Sequence, residues 1–218
     1  MNILLTSHTR TGSSWLCKLL LEITGYQHSK HYGKLKVKNT NPGEGNNLLR
    51  KSHMGSCKEV FHRFEPINYK NISILRNPRD RYLSVCKHRK INPDKNVHVY
   101  KTQERQQVKR MVRGHSTAGL ERKYPYMWTA YEWLIDDTSG ELRKILDFVG
   151  LVDIPAERIL EGINHWDNRN VSGERDIKRF GHADIVITKN KWENNFSQRL
   201  IEQTQPEYNT YMRKLKEG

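Results

Sequence analysis

The sequence is short of negative charge: 24 Asp and Glu stand against 38 Lys and Arg, a formal net charge of +14 over 218 residues. Such an imbalance calls for an anionic partner, which is a nucleic acid, a membrane surface or a small multiply charged ligand. The positive residues are scattered instead of forming a block of five or six, which argues against a basic nucleic-acid-binding tail. Cysteine is also scarce. Cys17, Cys57 and Cys86 are odd in number and have no CxxC spacing, so neither a zinc site nor a disulfide framework is expected, and a reducing cytoplasm fits best. No apolar run approaches membrane-spanning length, and Met1-Asn2-Ile3 opens without the basic segment and cleavage site of a signal peptide. A cytoplasmic protein with no membrane span is the expectation. The GxxxxGK[ST] loop of nucleotide triphosphatases is missing as well, which weakens ordinary ATP or GTP binding.

What is present fits one domain over residues 1–218. Hydrophobic residues make up only 35%, yet the runs Ile3–Leu5 and Trp15–Ile23 are dense enough to nucleate layers. Asn2–Thr6 reads as a short buried strand, Ser7–Gly12 as a polar turn, and Ser13–Thr24 as a helix ended by Gly25, with Ser13 or Ser14 as its cap. Further strands are expected at Leu48–Ser52 and Ile72–Leu75, and a helix at Asp80–Arg89. Residues 26–47 read as a surface excursion, and residues 91–123 as a variable insertion or lid with an exposed helix at Thr102–Arg113. Trp128–Ile135, Glu141–Val149, Ala156–Ile163 and Asn195–Leu215 have helical spacing. Strands alternating with helices predict an α/β fold of three layers, a parallel sheet flanked by helices, with a phosphate-binding strand-loop-helix at its N-terminus.

Chemistry concentrates in a few segments. His8-Thr9-Arg10-Thr11-Gly12-Ser13-Ser14-Trp15 lies where a strand turns into a helix, presenting backbone N–H groups and hydroxyls at a positive helix end. Lys51-Ser52-His53 ends a strand with an ammonium and an imidazole, the latter suited to proton transfer near neutral pH. In the segment 72–84, Arg76 at a strand tip offers a phosphate-matching fork, followed eight residues later by Ser84.

These segments resemble, in order, the donor-binding motifs of the sulfotransferase family that uses 3′-phosphoadenosine-5′-phosphosulfate (PAPS) and releases 3′,5′-adenosine diphosphate (PAP). The first is similar to that family's PKSGTTW loop, with Arg10 where the family carries a catalytic lysine and Gly12, Ser13, Ser14 and Trp15 in matching places. The resemblance implies that Thr9, Arg10, Thr11, Gly12, Ser13, Ser14 and Trp15 hold the phosphosulfate end, with Trp15 near the adenine. It implies His53 as the base on the acceptor hydroxyl, Arg76 and Ser84 as 3′-phosphate contacts, and Tyr131, in a YEDL-like Tyr131-Glu132-Trp133-Leu134, as an adenine contact. Trp192–Ser197 resembles the family's WKNxFT, but the RKGxxG ahead of it is not in register, leaving Arg179, Lys189 or Lys191 to complete the 3′-phosphate clamp.

The implied activity is in-line transfer of a sulfonate from PAPS to an acceptor hydroxyl, with no metal and no nucleic acid. An arginine can grip phosphate and neutralise charge but gives up a proton poorly, so Arg10 is expected to stabilise electrostatically and Lys51 to serve the leaving group. The Lys, Arg and His content of residues 26–47 and 91–123 points to a polar acceptor such as a saccharide. Two other readings stay open on the residues alone: a small nucleotide-dependent phosphotransferase, and a basic nucleic-acid-binding module with Tyr and Trp as stacking groups.

Overall fold

The computed structural model describes residues 2–28, 48–53, 69–112, 125–166 and 191–217. Among these the chain runs β1 (Asn2–Ser7), α1 (Ser13–Thr24), β2 (Gln27–His28), β3 (Leu48–His53), β4 (Tyr69–Leu75), α2 (Pro78–Arg89), α3 (Val97–Val112), β5 (Tyr126–Ala130), α4 (Tyr131–Asp136), α5 (Thr138–Val149), α6 (Ala156–His165), a 3₁₀ turn (Lys191–Asn194) and α7 (Gln198–Glu217). The strands form one parallel sheet in the order β2-β3-β1-β4-β5. The mixed α/β architecture expected from the sequence is thus the one observed.

Parallel strands need cover on both faces, and the alternation along β1 and β4 supplies two different ones. Ile3, Leu5, Leu49, Ile72 and Ile74 point to one side and pack against α1, α4, α5 and α6 through Leu16, Leu19, Leu20, Leu134, Leu142, Ile145, Leu146 and Ile159. Burying each such aliphatic side chain contributes about 1.5–3 kcal/mol, which anchors the central strand. On the other side Leu75, Val108, Met111 and Tyr211 join α3 and α7 to the sheet, next to a cluster of Tyr82, Tyr100, Phe196 and Leu200. This second face also buries polar groups. Thr6 Oγ1 donates to Asn71 Oδ1 at 2.9 Å and lies 2.9 Å from Ser73 Oγ, a bonded set that ties β1 to β4.

Because β3 and β4 flank β1 on opposite sides, the loop leaving β1 opens onto a crevice at the C-terminal edge of the sheet. The connection directions reverse there, which is where open α/β sheets bind ligands.

Several elements differ from their sequence reading. Residues 128–135 are not one helix: Trp128–Ala130 belong to β5, and α4 begins at Tyr131 with no intervening loop. Strand pairing with β4 from Asn71–Tyr126 to Leu75–Ala130 overrides the helical spacing of Trp128 through Ile135. The helix read as exposed at 102–113 starts earlier, at Val97, and is not an outer feature, since Tyr100, Glu104, Gln107, Val108 and Met111 are all buried. Gln27–His28 form an edge strand inside the segment read as a surface excursion. The excursion's remainder, residues 29–47, and residues 113–124 of the expected lid lie outside the described residues.

Candidate functional site

The site starts from the turn between β1 and α1. Gly12 caps α1 with a left-handed φ of 86°, and neither Ser13 nor Ser14 serves as the cap, since no side chain bonds the first-turn N–H groups. No acidic residue stands in that turn either. Gly12 must be glycine for a second reason: a Cβ there would overlap the Tyr131 ring, at 2.7 Å from Cε2 and closer still to Cδ2. Tyr131 is therefore a buried wedge under the loop. Its ring meets Trp15 edge-on at 6.4 Å, and the Arg76 guanidinium lies 4.4 Å above it.

Four of the loop's carbonyls are tied back to the protein. Thr11 Oγ1 donates to the His8 carbonyl at 3.0 Å, Arg81 Nη1 to the Thr9 carbonyl at 2.8 Å, Arg76 Nη1 to the Arg10 carbonyl at 3.1 Å, and Leu16 N–H to the Gly12 carbonyl at 3.1 Å. With the oxygens so engaged, the turn can offer its N–H groups to an anion, as a backbone nest does. The Arg81 anchor is itself secured. Its Nε and Nη2 grip both oxygens of Glu104 at 2.8 and 2.6 Å, and both side chains are almost fully buried. Arg76 is steadied from behind. Gln107 Nε2 donates to its carbonyl at 3.4 Å, and Glu132 accepts the adjacent Asn77 N–H at 2.9 Å while holding the Tyr211 hydroxyl at 2.6 Å.

Two groups of polar side chains flank the loop. On the β3 side, Lys51 Nζ donates to Ser14 Oγ at 2.6 Å, and burial, with Lys18 adding to it, holds the ammonium below the ordinary lysine range. On the β4 side, Arg10 Nε donates to Ser84 Oγ at 3.0 Å. Burial, and then the charge of Arg76, lower the Arg10 guanidinium as well. Thr9 is exposed and Arg10, Ser14, Lys51 and Ser84 are half-buried, so all five are open to a ligand, whereas Thr11, Ser13 and Trp15 turn inward. Trp15 Nε1 donates to the Trp166 carbonyl at 2.9 Å.

Of the residues singled out in the sequence, the fold gathers Thr9–Trp15, Lys51, Arg76, Ser84 and Tyr131 at one edge of the sheet. His53 pairs with Ser7 in the parallel register and so ends β3 at that same edge, although its side chain is not among those described. Arg179 and Lys189 lie outside the described residues. Sequence reasoning passed over Arg81, Glu104, Glu132 and Tyr211. One signal was there: Tyr100, Glu104, Val108 and Met111 recur at helical spacing, placing a carboxylate on an apolar stripe where it needs a buried cation.

A parallel α/β sheet whose first helix starts without a side-chain cap, with a carbonyl-tied loop and cationic groups on both sides, is an arrangement suited to an anion at the head of the central strand. The family model described as "Sulfotransferase domain" matches residues 1–216, and the chain belongs to that family. It is a transferase, and sulfonate transfer is its chemistry. Solved structures share the fold at low identity. Mouse sulfotransferase SULT7A1 complexed with PAP is 15% identical with a TM-score of 0.64, over 97% of this chain and 84% of that one. Retinol dehydratase in complex with androsterone and inactive cofactor PAP is 13% identical with a TM-score of 0.63, over 95% and 79%. The sulfotransferase domain of the Synechococcus PCC 7002 olefin synthase is 20% identical with a TM-score of 0.59, over 97% and 94%. No curated protein matches the sequence. Among the described residues no group of three or more His, Cys, Asp or Glu is placed to hold a metal ion, and no helix is long and apolar enough to cross a membrane.

Proposed function

We propose that the protein transfers the sulfonate of PAPS to a hydroxyl of a polar acceptor, a saccharide being the favoured class, and releases PAP. The observation that carries this reading is the two-sided cationic site around a single anion loop, Lys51 with Ser14 on one flank and, on the other, Arg10 with Ser84 beside Arg76, which holds the Arg10 carbonyl. PAPS is a ligand with anionic groups at two separate positions. The phosphosulfate end would rest on the N–H groups of the turn and α1, within reach of Ser14 and Lys51. The loop's tied carbonyls keep that surface preorganised, so little rearrangement is needed when charge develops.

In the proposed step His53 takes the proton of the acceptor hydroxyl, whose oxygen attacks sulfur in line. The bond from sulfur to the bridging oxygen breaks, and the electron pair leaves on the 5′-phosphate of PAP. Lys51 faces that departing charge and can neutralise it or supply a proton, a role helped by an ammonium that burial has already made more acidic. The buried free thiols of Cys17 and Cys86 suit a reducing compartment, in keeping with a cytoplasmic enzyme.

The test is transfer of label from sulfonate-labelled PAPS to a panel of saccharides, phenols and steroids, together with thermal stabilisation by PAP. Label should enter a saccharide hydroxyl, and His53→Ala should lower turnover about 10²- to 10⁴-fold. No transfer and no stabilisation by PAP, alongside salt-sensitive RNA binding or magnesium-dependent ATP turnover, would replace this reading with one of its rivals.

A further inference from the structure

The outer side of α3 carries a row of cations that nothing on the helix balances. Tyr100, Glu104, Gln107, Val108 and Met111 turn inward and are buried, and Glu104, the one carboxylate of the helix, is already paired with Arg81. His98, Lys101, Arg105 and Lys109 are exposed. Their helical spacing sets them in one stripe about 16 Å from end to end. Like charges at i,i+4 repel, as between Lys101 and Arg105 and between Arg105 and Lys109, and no acidic residue stands in the first turn, where the helix dipole favours one. Of the four, only Arg105 has an ion-pair partner among the described residues, Glu207 on α7 at 2.6 Å, and its side chain is still 48% exposed. The basic last turn of α2 differs: Lys87, His88 and Arg89 lie at a negative helix end, which accounts for them within the fold.

The stripe is fixed to the donor loop from behind. Glu104 holds Arg81, which takes the Thr9 carbonyl, and Gln107 Nε2 donates to the Arg76 carbonyl at 3.4 Å. The exposed side of α3 thus stands about one helix diameter from that loop, roughly 10–12 Å. Three kinds of anionic surface could answer a row of cations, and two lack their complement here. Single-stranded nucleic acid stacks on exposed rings, whereas Tyr100, the only Tyr, Phe or Trp of α3, is buried. A membrane surface calls for apolar side chains beside the cations, and the exposed large hydrophobics among the described residues, Val152 and Leu160, lie on other elements. An acidic polysaccharide needs spaced cations with hydrogen-bonding groups between them, and Thr102 and Gln106 are exposed next to the stripe.

We infer that the outer face of α3 is an exosite for an acidic polysaccharide acceptor, whose carboxylate or sulfate groups are gripped by His98, Lys101, Arg105 and Lys109 while a hydroxyl further along the same chain enters the reacting centre. This narrows the acceptor class of the proposed function and rests on that reading. It gives the acceptor a part of the positive charge that the donor loop does not use.

The experiment measures binding of fluorescein-labelled dodecasaccharides of hyaluronan, heparin and neutral dextran, and of single- and double-stranded RNA, by anisotropy at several salt concentrations. Wild type is compared with Lys101→Gln/Lys109→Gln and Lys101→Glu/Lys109→Glu. Neutralisation should weaken the acidic dodecasaccharides about 3- to 30-fold, the span of two exposed ion pairs, and flatten their salt dependence. Reversal should weaken them further while keeping or raising Tm, because it sets opposite charges at i,i+4 from Arg105. In sulfonate transfer from labelled PAPS, the loss should fall on KM for the acidic dodecasaccharide and leave KM for the matching disaccharide and the affinity for PAP unchanged. Equal binding by wild type and the reversed variant, tighter binding of RNA than of either acidic saccharide, or a loss of Tm that parallels the loss of affinity would overturn the exosite. Binding of the acidic dodecasaccharides through these lysines without any affinity for PAP would uphold the stripe and overturn the donor reading instead.

Discussion

Removing the Glu104 carboxylate separates two tasks that the Arg81–Glu104 pair performs together. Both side chains are essentially without solvent contact, and the guanidinium makes contacts of 2.8 and 2.6 Å to the carboxylate while spending its Nη1 on the Thr9 carbonyl. In Glu104→Ala the cation keeps that carbonyl and a long 3.4 Å contact to Gln103, which cannot replace a charge. Breaking a buried pair from one side costs about 3–5 kcal/mol, a fifth or more of the roughly 5–15 kcal/mol that stabilises a typical domain. At this chain length that corresponds to a fall in Tm of about 6–20 °C. Urea denaturation and thermal melts measure it directly. The informative companion is the double replacement Arg81→Met with Glu104→Leu, in which no charge is buried and much of the lost stability should return. Donor binding should not return with it, because nothing then holds the Thr9 carbonyl away from the anion face of the loop. The reasoning fails if the double variant binds PAP as tightly as wild type, or if Glu104→Ala costs less than about 1 kcal/mol.

Two further outcomes follow from the same loop. Gly12→Ala forces a Cβ into the buried Tyr131 ring at a left-handed φ, so about 1–3 kcal/mol of strain should appear in denaturation curves together with a loss of PAP affinity; unchanged melts and binding would show that the wedge yields. The Lys51 ammonium is lowered chiefly by desolvation, so the free enzyme loses this charge at a pH below the ordinary lysine range. The basic limb of the kcat/KM profile should lie there and move upward in Lys51→Arg, and an identical limb in that variant would remove Lys51 from the reaction.

How legible the site was depended on whether a residue's task was local. The turn 8–15 could be read because a strand, a glycine and a helix in succession are enough to create an anion site, and β4 with Arg76 could be read because Asn77-Pro78 marks where the strand stops and α2 starts. The expectation of a serine cap failed for a tertiary reason: Tyr131, about 120 residues away in sequence, fills the space under Gly12 and fixes the turn in a left-handed form. β5 was hidden because its Tyr, Trp and Thr run straight into α4 with no Gly, Pro or Asn between them. The polar segment around α3 concealed a buried helix because charge was taken as exposure, although Glu104 is charged and fully enclosed.

Arg79 shows why a count of positive residues says so little about where an anion binds. It is buried at the start of α2, and its guanidinium lies 4.2 Å from the Trp192 ring and 4.1 Å from the Tyr208 ring. Its donors go to Thr204, the Ile201 carbonyl and Gln205 at 2.7–2.9 Å, so aromatic faces and α7 consume the charge entirely within the protein. Arg81, two residues on, is consumed by Glu104 and a carbonyl. Arg76, Arg79 and Arg81 look alike in the sequence as one cationic cluster, but Arg79 and Arg81 are structural. What distinguishes Arg10 and Lys51 from them is that both are only half-buried and bond the half-buried hydroxyls of Ser84 and Ser14, which a bound anion can share. On the proposed reading, the donor-binding charge of this basic chain is therefore a small part of its net +14, concentrated beside the one loop whose backbone could receive an anion.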